Sequence, residues 1–167
     1  WHKLDEVPTA IKYLLLVGRG GEISGYYLAI SSTLLYAKVI CANGLSNYQY
    51  TYTTSGWMHI VLTYDAVNGG GLWVNGTKVG TLVPKGAIVY PEMYNGAPSI
   101  GSHGDLYFYK GYIDEVRIYN RVLTPLEISA LYTIKSTSNL GIDGQYTDNR
   151  FAKSTSQDTA PTYTANA

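Results

Sequence analysis

The sequence has 167 residues, enough for one domain with a single core, and it carries 17 Tyr while only 14% of its residues are charged. Its 12 Lys and Arg balance 12 Asp and Glu, so the chain lacks the positive charge that attracts nucleic acid or anionic lipid. No run reaches the roughly 18 apolar residues of a membrane span, and the single cysteine, Cys41, is expected to be a buried, inert thiol.

Short strand-like runs separated by turn residues fill most of the chain before residue 120. Glycine-rich or Asn-Gly turns separate many of these runs, as at Asn43-Gly44 and Asn75-Gly76. Many short strands at this spacing are typical of an all-β domain. The predicted strands are residues 12–17, 25–31, 34–41, 48–53, 57–65, 71–74, 78–83, 99–101 and 111–119.

The strand over 57–65 is apolar on both faces, which predicts a central position in its sheet. Its His59 is expected to be a core or rim residue with a satisfied hydrogen bond. The next two strands flank Asn75-Gly76, a pair that tolerates positive φ at both turn positions and predicts a tight hairpin. Asn75 also begins an Asn-Gly-Thr acceptor pattern, so it is a candidate glycosylation site.

One short helix is predicted near residues 124–132. Thr124 is a natural N-cap, Pro125 suits the first helical position, and Glu127 completes a capping box. Three apolar side chains of this helix are expected to face the strands: Leu126, Ile128 and Leu131. After it, residues 133–167 are rich in Ser and Thr, which indicates either a linker or a tail that adds a strand, with 142–151 and 159–165 as candidate segments.

Three segments resemble the laminin-G-like jelly-roll family of the concanavalin A-like lectin and glucanase superfamily. They are SGWMHIVLTYD at 55–65, LWVNGTKV at 72–79 and GYIDEVRIYNRVLTPLEI at 111–128. The resemblance covers residues 1–132 and implies an all-β, two-sheet antiparallel jelly-roll sandwich with one short helix. Residues 133–167 then form a separate tail.

One departure from the family concerns the start of the sandwich. Family members usually begin with a strand and a loop ahead of the segment that Trp1 starts, and that strand pairs beside the closing strand, here 111–119. We therefore expect the opening strand to be missing and the closing strand to have an edge without a partner.

Asp114 is a candidate metal ligand on the predicted closing strand. Period-2 alternation places Tyr112, Asp114, Val116 and Ile118 on one face, and with Val116 and Ile118 inward Asp114 points inward too. A buried carboxylate requires a partner. Backbone N–H groups or a tyrosine hydroxyl are one alternative, and the structural calcium that the resemblance implies at this position is the other.

Catalysis is not expected. The glycosidases of the superfamily place acidic residues at alternate positions of one strand, whereas Asp114 and Glu115 are adjacent and point to opposite faces. Among three His and one Cys, no spacing indicates a nucleophilic triad or a zinc site, so we predict a protein that is not an enzyme.

Binding of a glycan or a surface protein is the expected function, in an extracellular, cell-surface or virion-surface location. Sugars stack on exposed aromatic rings, and two aromatic clusters are candidates: the stripe Tyr48, Tyr50 and Tyr52, and the loop residues Tyr107, Phe108 and Tyr109. The alternative for the stripe is packing against the opposite sheet.

Assembly is the second expected function. A sandwich that lacks one strand exposes unpaired backbone groups, and an extended segment of residues 133–167 could fill such an edge in another copy of the chain. The protein would then be a structural subunit of an extracellular filament, pilus or coat.

Overall fold

The computed structural model of the protein describes residues 1–20, 24–53, 56–90, 98–103 and 107–138. No helix within these ranges is long and apolar enough to cross a membrane. The strands are β1 His2–Leu4, β2 Lys12–Gly20, β3 Ser24–Ser31, β4 Leu34–Cys41, β5 Gly44–Thr51, β6 Ile60–Asp65, β7 Gly69–Val74, β8 Thr77–Leu82, β9 Ser99–Ile100 and β10 Gly111–Ile113, and the helix is α1 Pro125–Ser138.

The described strands form antiparallel sheets. A five-stranded sheet has the order β5-β4-β3-β2-β9, a three-stranded sheet has the order β6-β7-β8, and β1 pairs with β10. The prediction of an all-β sandwich with one short helix is confirmed.

The main core lies between the five-stranded and three-stranded sheets. Alternate residues of β2, β3 and β4 meet the inward residues of β7 and β8, because side chains on a strand point to opposite faces in turn. The buried members include Leu14, Ile30, Leu35, Ala37, Val39, Leu72, Val74 and Leu82. Cys41 belongs to this core, with its Sγ donating to Tyr64 Oη over 3.0 Å, so the prediction of a buried thiol is confirmed.

A second cluster covers the outer face of the five-stranded sheet. It contains Tyr13, Leu16, Tyr27, Ala29 and Ile40, all of them buried. The sheet therefore buries apolar side chains on both faces, and its outer face is part of the candidate site described below.

Strand β6 lies at an edge of the three-stranded sheet, so the prediction of a central strand is wrong. Ile60, Leu62 and Tyr64 pack against the main core. Just before β6, the Tyr132 ring of α1 stacks on His59 with centroids 6.0 Å apart.

The closing strand is shorter than predicted and ends at Ile113. Glu115 has a φ of +53°, in the left-handed region, which interrupts the extended alternation. Asp114, Val116 and Ile118 are exposed. The prediction that Asp114 points inward is therefore wrong, whereas Val116 and Ile118, although exposed, line the cavity beside β6 that is described below.

Strand β1 occupies the place beside the closing strand. His2 lies opposite Ile113 on one side and opposite Met58 on the other. The expectation that the closing strand lacks a partner is therefore wrong for Gly111–Ile113. Residues 115–119 join no ladder in the described part of the chain.

Helix α1 begins where the capping box predicts. The Thr124 N–H donates to the Glu127 carboxylate over 2.8 Å, and the Glu127 N–H donates to Thr124 Oγ1 over 3.3 Å. The Arg121 guanidinium also binds this carboxylate, and together these bonds lower the pKa of Glu127 to about 2. Ile128 is buried, but Leu126 is 83% exposed, so the prediction that Leu126 faces the sandwich is wrong.

Candidate functional site

The outer face of the five-stranded sheet presents polar side chains in register. Tyr27 lies opposite Lys38, which lies opposite Asn47, and Tyr36 lies opposite Gln49 in the neighbouring row. Asn47 and Gln49 are exposed. The Lys38 ammonium sits 5.9 Å above the Tyr27 ring, at cation–π distance.

Four aromatic rings gather where this face meets the loop after β9, and we call them the aromatic surface: Tyr13, Tyr27, His103 and Tyr107. Tyr13 contacts Tyr27 and His103 edge-on, with centroids 5.2 and 5.1 Å apart. Tyr107 stacks on His103 at 6.0 Å with an interplanar angle of 19°. Tyr13 and Tyr27 are buried, whereas Tyr107 is 43% exposed, so the Tyr107 ring is the accessible part of the cluster.

The predicted loop residues Tyr107, Phe108 and Tyr109 separate into two groups. Tyr107 and Phe108 are exposed at the surface. Tyr109 is half-buried, with its hydroxyl 3.0 Å from His2 Nδ1, and burial raises the pKa of this hydroxyl. Residues 104–106 of the same loop lie outside the described part of the chain.

The predicted stripe of Tyr48, Tyr50 and Tyr52 faces the main core. Tyr52 is 3% exposed, and its hydroxyl donates to the Ser32 carbonyl over 3.2 Å. The Tyr48 ring lies so close to Gly80 of the opposite sheet that a Cβ there would stand 2.3 Å from it. The structure therefore shows the packing alternative, and the stripe forms no exposed binding surface.

Asp114 has an exposed carboxylate that accepts the Glu115 N–H over 2.8 Å. Among the described residues, no three His, Cys, Asp or Glu side chains come close enough together to hold a metal ion. Calcium prefers several oxygen ligands, so these side chains alone do not fit a calcium site. Binding of calcium at Asp114 stays a prediction.

Asn75 lies in the predicted hairpin turn between β7 and β8. The φ angles of Asn75 and Gly76 are +49° and +77°, which confirms the turn. The Asn75 side chain is exposed, and its Oδ1 accepts the His59 N–H over 2.9 Å. Glycosylation of Asn75 stays a prediction.

A cavity of about 950 Å³, open to the surface, lies beside β6. Its apolar walls include Leu14, Leu28, Val39, Leu62 and Val116.

Two buried histidines, His2 and His59, also line this cavity. Burial lowers the pKa of each to about 4, so both rings are neutral at pH 7. His2 Nε2 and His59 Nδ1 find no hydrogen-bond partner in the described ranges. The expectation that His59 is satisfied is therefore wrong for this nitrogen.

Sequence reasoning missed several of these residues. In β3, Leu28 and Ile30 alternate with Tyr27 and Ala29. This pattern could have revealed that both faces of the strand are apolar. His2 and the contact of His103 with Tyr13 had no such signal, because these contacts join distant parts of the chain.

The family model described as the Concanavalin A-like lectin/glucanases superfamily, of the laminin G type, matches residues 1–129. This match covers most of the chain and agrees with the antiparallel sandwich. The chain therefore belongs to the concanavalin A-like lectin/glucanases superfamily.

Two solved structures align with most of this chain. The botulinum neurotoxin serotype G binding domain aligns with a TM-score of 0.52 and 15% identity, over 83% of this chain and 35% of that one. An S-layer domain-containing protein from Clostridium thermocellum aligns with a TM-score of 0.39 and 22% identity, over 79% of this chain and 66% of that one. The chain thus spans about a third of the neurotoxin domain. Among curated proteins, none matches the sequence significantly.

Proposed function

We propose that this protein is a non-catalytic, extracellular binding module that recognises carbohydrate through the aromatic surface. The observation that supports this proposal most directly is the position of the Tyr107 ring. The ring is 43% exposed and stacks on His103. Sugars present apolar C–H faces, so an aromatic plane that is already held in place binds them with little loss of side-chain freedom.

The neighbouring sheet face supplies the polar groups that such recognition requires. From Tyr13 on β2, the register leads across Ala29 and Tyr36 to Gln49 on β5. Tyr13 and Ala29 are buried, so the part of this row that is open to a ligand is the half-buried Tyr36 and the exposed Gln49, one strand spacing of about 4.8 Å apart. Amide and ammonium groups on this face can donate hydrogen bonds to sugar hydroxyls.

Direct binding measurements test the proposal. A broad glycan array identifies a ligand, and titration calorimetry then compares the native protein with Tyr107→Ala and Tyr112→Ala. Tyr112 is a matched control because it is 56% exposed and lies on β10, outside the aromatic surface. We expect at least a tenfold loss for Tyr107→Ala, about 1.4 kcal/mol, and little change for Tyr112→Ala. An empty array, or equal affinities of the two variants, would contradict carbohydrate recognition at this surface.

A surface protein is the other ligand class that the aromatic surface suits, because exposed tyrosines are frequent in protein interfaces. The same titrations separate the two classes. A ligand that remains bound after enzymatic removal of its glycans, and that is lost on Tyr107→Ala, would identify a protein ligand.

Calcium at Asp114 belongs to this proposal as a structural ion. If it binds, thermal unfolding in millimolar calcium should occur at a higher Tm than in chelator, because a ligand of the folded state stabilises it. Asp114→Asn should abolish the difference, and Glu115→Gln, which changes the adjacent exposed carboxylate, should retain it. Equal Tm values in calcium and chelator would remove calcium from the proposal.

The alternative function is a structural subunit of an extracellular filament, pilus or coat, assembled by strand addition with the tail. It is favoured by β6, which is an edge strand among the described residues. Light scattering of the whole chain and of a chain ending at Ser138 tests it. We expect polymers only when the tail is present. If both the whole chain and the shortened chain are monomeric, assembly by the tail is excluded.

A further inference from the structure

Strand β5 is the outermost strand of the five-stranded sheet, and among the described residues it pairs only with β4. It is eight residues long, and its ladder with β4 runs from Gly44 to Thr51 without a bulge. Proteins normally protect such an edge with a lysine, a proline, a bulge or a very short strand. Gly44–Thr51 contains no charged residue and no proline, so β5 presents a long, even and uncharged edge.

The backbone groups of every second residue of β5 point away from β4. One step beyond the ladder, the Tyr52 N–H donates to the Thr33 carbonyl over 2.9 Å, so the Tyr52 backbone faces β4. Because hydrogen-bonding directions alternate along an antiparallel strand, the backbones of Tyr50, Tyr48 and Ser46 face β4 as well. The residues between them therefore direct their N–H and C=O groups to the outer edge, and we call them the edge-facing residues: Leu45, Asn47, Gln49 and Thr51.

The edge-facing residues make no other backbone hydrogen bond within the part of the chain that the structure describes. A backbone N–H or C=O group that is covered without a partner costs free energy. Whatever covers this edge must therefore supply both donors and acceptors at the spacing of a strand. An extended strand meets this requirement.

The side chains of β5 suit an uncharged partner strand. On the inner face, Tyr48 and Tyr50 are half-buried, although Tyr52 in the same stripe is 3% exposed. On the outer face, Asn47 and Gln49 are exposed amides. Neither face of β5 carries a charge, so an identical strand would meet no like-charge repulsion along it.

We propose that β5 pairs with β5 of a second copy of the chain across a two-fold axis, which joins the two five-stranded sheets into one continuous sheet. An antiparallel arrangement with the axis at Tyr48 places Asn47 opposite Gln49 of the second copy, and Leu45 opposite Thr51. Since the axis repeats each pair, every edge-facing residue meets an edge-facing residue, and about eight backbone hydrogen bonds form.

The match of β5 with itself favours a second copy of this chain over an unrelated strand. At the axis, the two half-buried Tyr48 rings lie side by side and cover each other, because opposed side chains of such a pair are close. The amides of Asn47 and Gln49 can exchange hydrogen bonds across the outer face. Shifting the pairing by two residues leaves an edge-facing residue without an edge-facing partner, so one register is specified. This inference is independent of carbohydrate recognition, and it closes at two copies, unlike assembly by the tail.

Sedimentation velocity of the full chain, from micromolar to millimolar concentration, tests for the dimer. Two double variants of the exposed Asn47 and Gln49 test its register. Asn47→Lys with Gln49→Lys places like charges opposite each other, and the dissociation constant of the dimer should rise about tenfold or more. Asn47→Lys with Gln49→Glu places opposite charges in both pairs, and the constant should fall about threefold or more. Ser129→Lys adds a charge on the exposed side of α1 as a control and should leave the constant unchanged.

Amide hydrogen exchange gives a second readout on the native protein. In dilute solution the edge-facing amides should exchange fast, and at concentrations where the dimer forms they should exchange about tenfold more slowly or less than that. The amides of Ser46 and Tyr48, which face β4, should be protected at both concentrations.

Four results would overturn the proposal. The first is a native chain that stays monomeric at millimolar concentration. The second is a dimer whose dissociation constant is the same in both double variants. The third is protection of the edge-facing amides in the dilute monomer, which would mean that another part of the chain covers the edge. The fourth is growth beyond two copies, which would indicate a contact without two-fold closure.

Discussion

Tyr107 and Tyr109 show how neighbouring aromatic residues of one loop come to serve different purposes. Tyr107 has a φ of +58° and presents its ring at the surface beside His103. Tyr109 donates its N–H to the Gly101 carbonyl over 2.8 Å, and its hydroxyl meets His2 inside. Only Tyr107 and its exposed neighbour Phe108 are therefore available for ligand binding.

His2 and His59 make stability depend on pH. Burial lowers the pKa of both from 6.5 to about 4 in the folded protein. Between pH 6.5 and pH 4 the unfolded chain therefore binds protons that the folded protein does not bind. We expect the free energy of unfolding to be highest above pH 6.5 and to fall as the pH drops toward 4, by on the order of 2–3 kcal/mol for each histidine.

Urea unfolding from pH 7 to pH 4 measures this dependence. The carboxyl groups contribute in the same range, so the diagnostic quantity is the difference between variants. His59→Gln should reduce the loss of stability on acidification. Parallel pH profiles for the native protein and His59→Gln would contradict the role of burial.

At the scale of an element, the β7–β8 turn couples the hairpin to α1. A Cβ at Gly76 would lie 3.1 Å from the Tyr132 ring, and its φ is +77°. Gly56 has nearly the same φ, +79°, with open space around it. Gly56→Ala should cost about 1–2 kcal/mol through backbone strain alone, and Gly76→Ala should cost more because the helix is displaced too. The midpoints of urea unfolding compare the two variants. Equal losses of stability would mean that contact with Tyr132 adds no cost at Gly76.

The contribution of the capping box of α1 to the free energy of unfolding can be measured separately. Thr124→Ala removes the oxygen that accepts the Glu127 N–H, and we expect a loss of about 1 kcal/mol in the free energy of unfolding. Ser129→Ala lies on the exposed side of the same helix and should change stability little, since alanine favours helices. Thermal unfolding followed by circular dichroism compares the two. A Thr124→Ala variant as stable as Ser129→Ala would show that the cap is dispensable.

At the scale of the whole molecule, stability depends on the contact between the two larger sheets. Leu72 on β7 is 0% exposed within the main core, and Leu126 on α1 is 83% exposed. Leu72→Ala should cost 2–5 kcal/mol through lost burial and a new cavity, whereas Leu126→Ala should stay within about 0.5 kcal/mol. Calorimetric or urea unfolding measures both. A small loss for Leu72→Ala would mean that the sandwich repacks around the vacated space.

Local chemistry alone determined several elements of this protein. Asn75-Gly76 specifies its turn because both residues tolerate positive φ, and the Thr124 capping box starts α1 because its bonds join residues three apart. The alternation in β4 places Leu35, Ala37 and Val39 on one face, because successive side chains of a strand point to opposite faces. The sandwich itself follows from many such strands together with the family motifs.

Tertiary structure alone decided which face of each strand is inward and which edge is paired. Tyr48 packs on Gly80 because the opposite sheet is there, and Val116 is exposed because Glu115 leaves the extended conformation. His2 and His59 are buried by partners distant in sequence. Alternation indicates that two faces differ without indicating which one another sheet will cover, since that depends on contacts between distant segments.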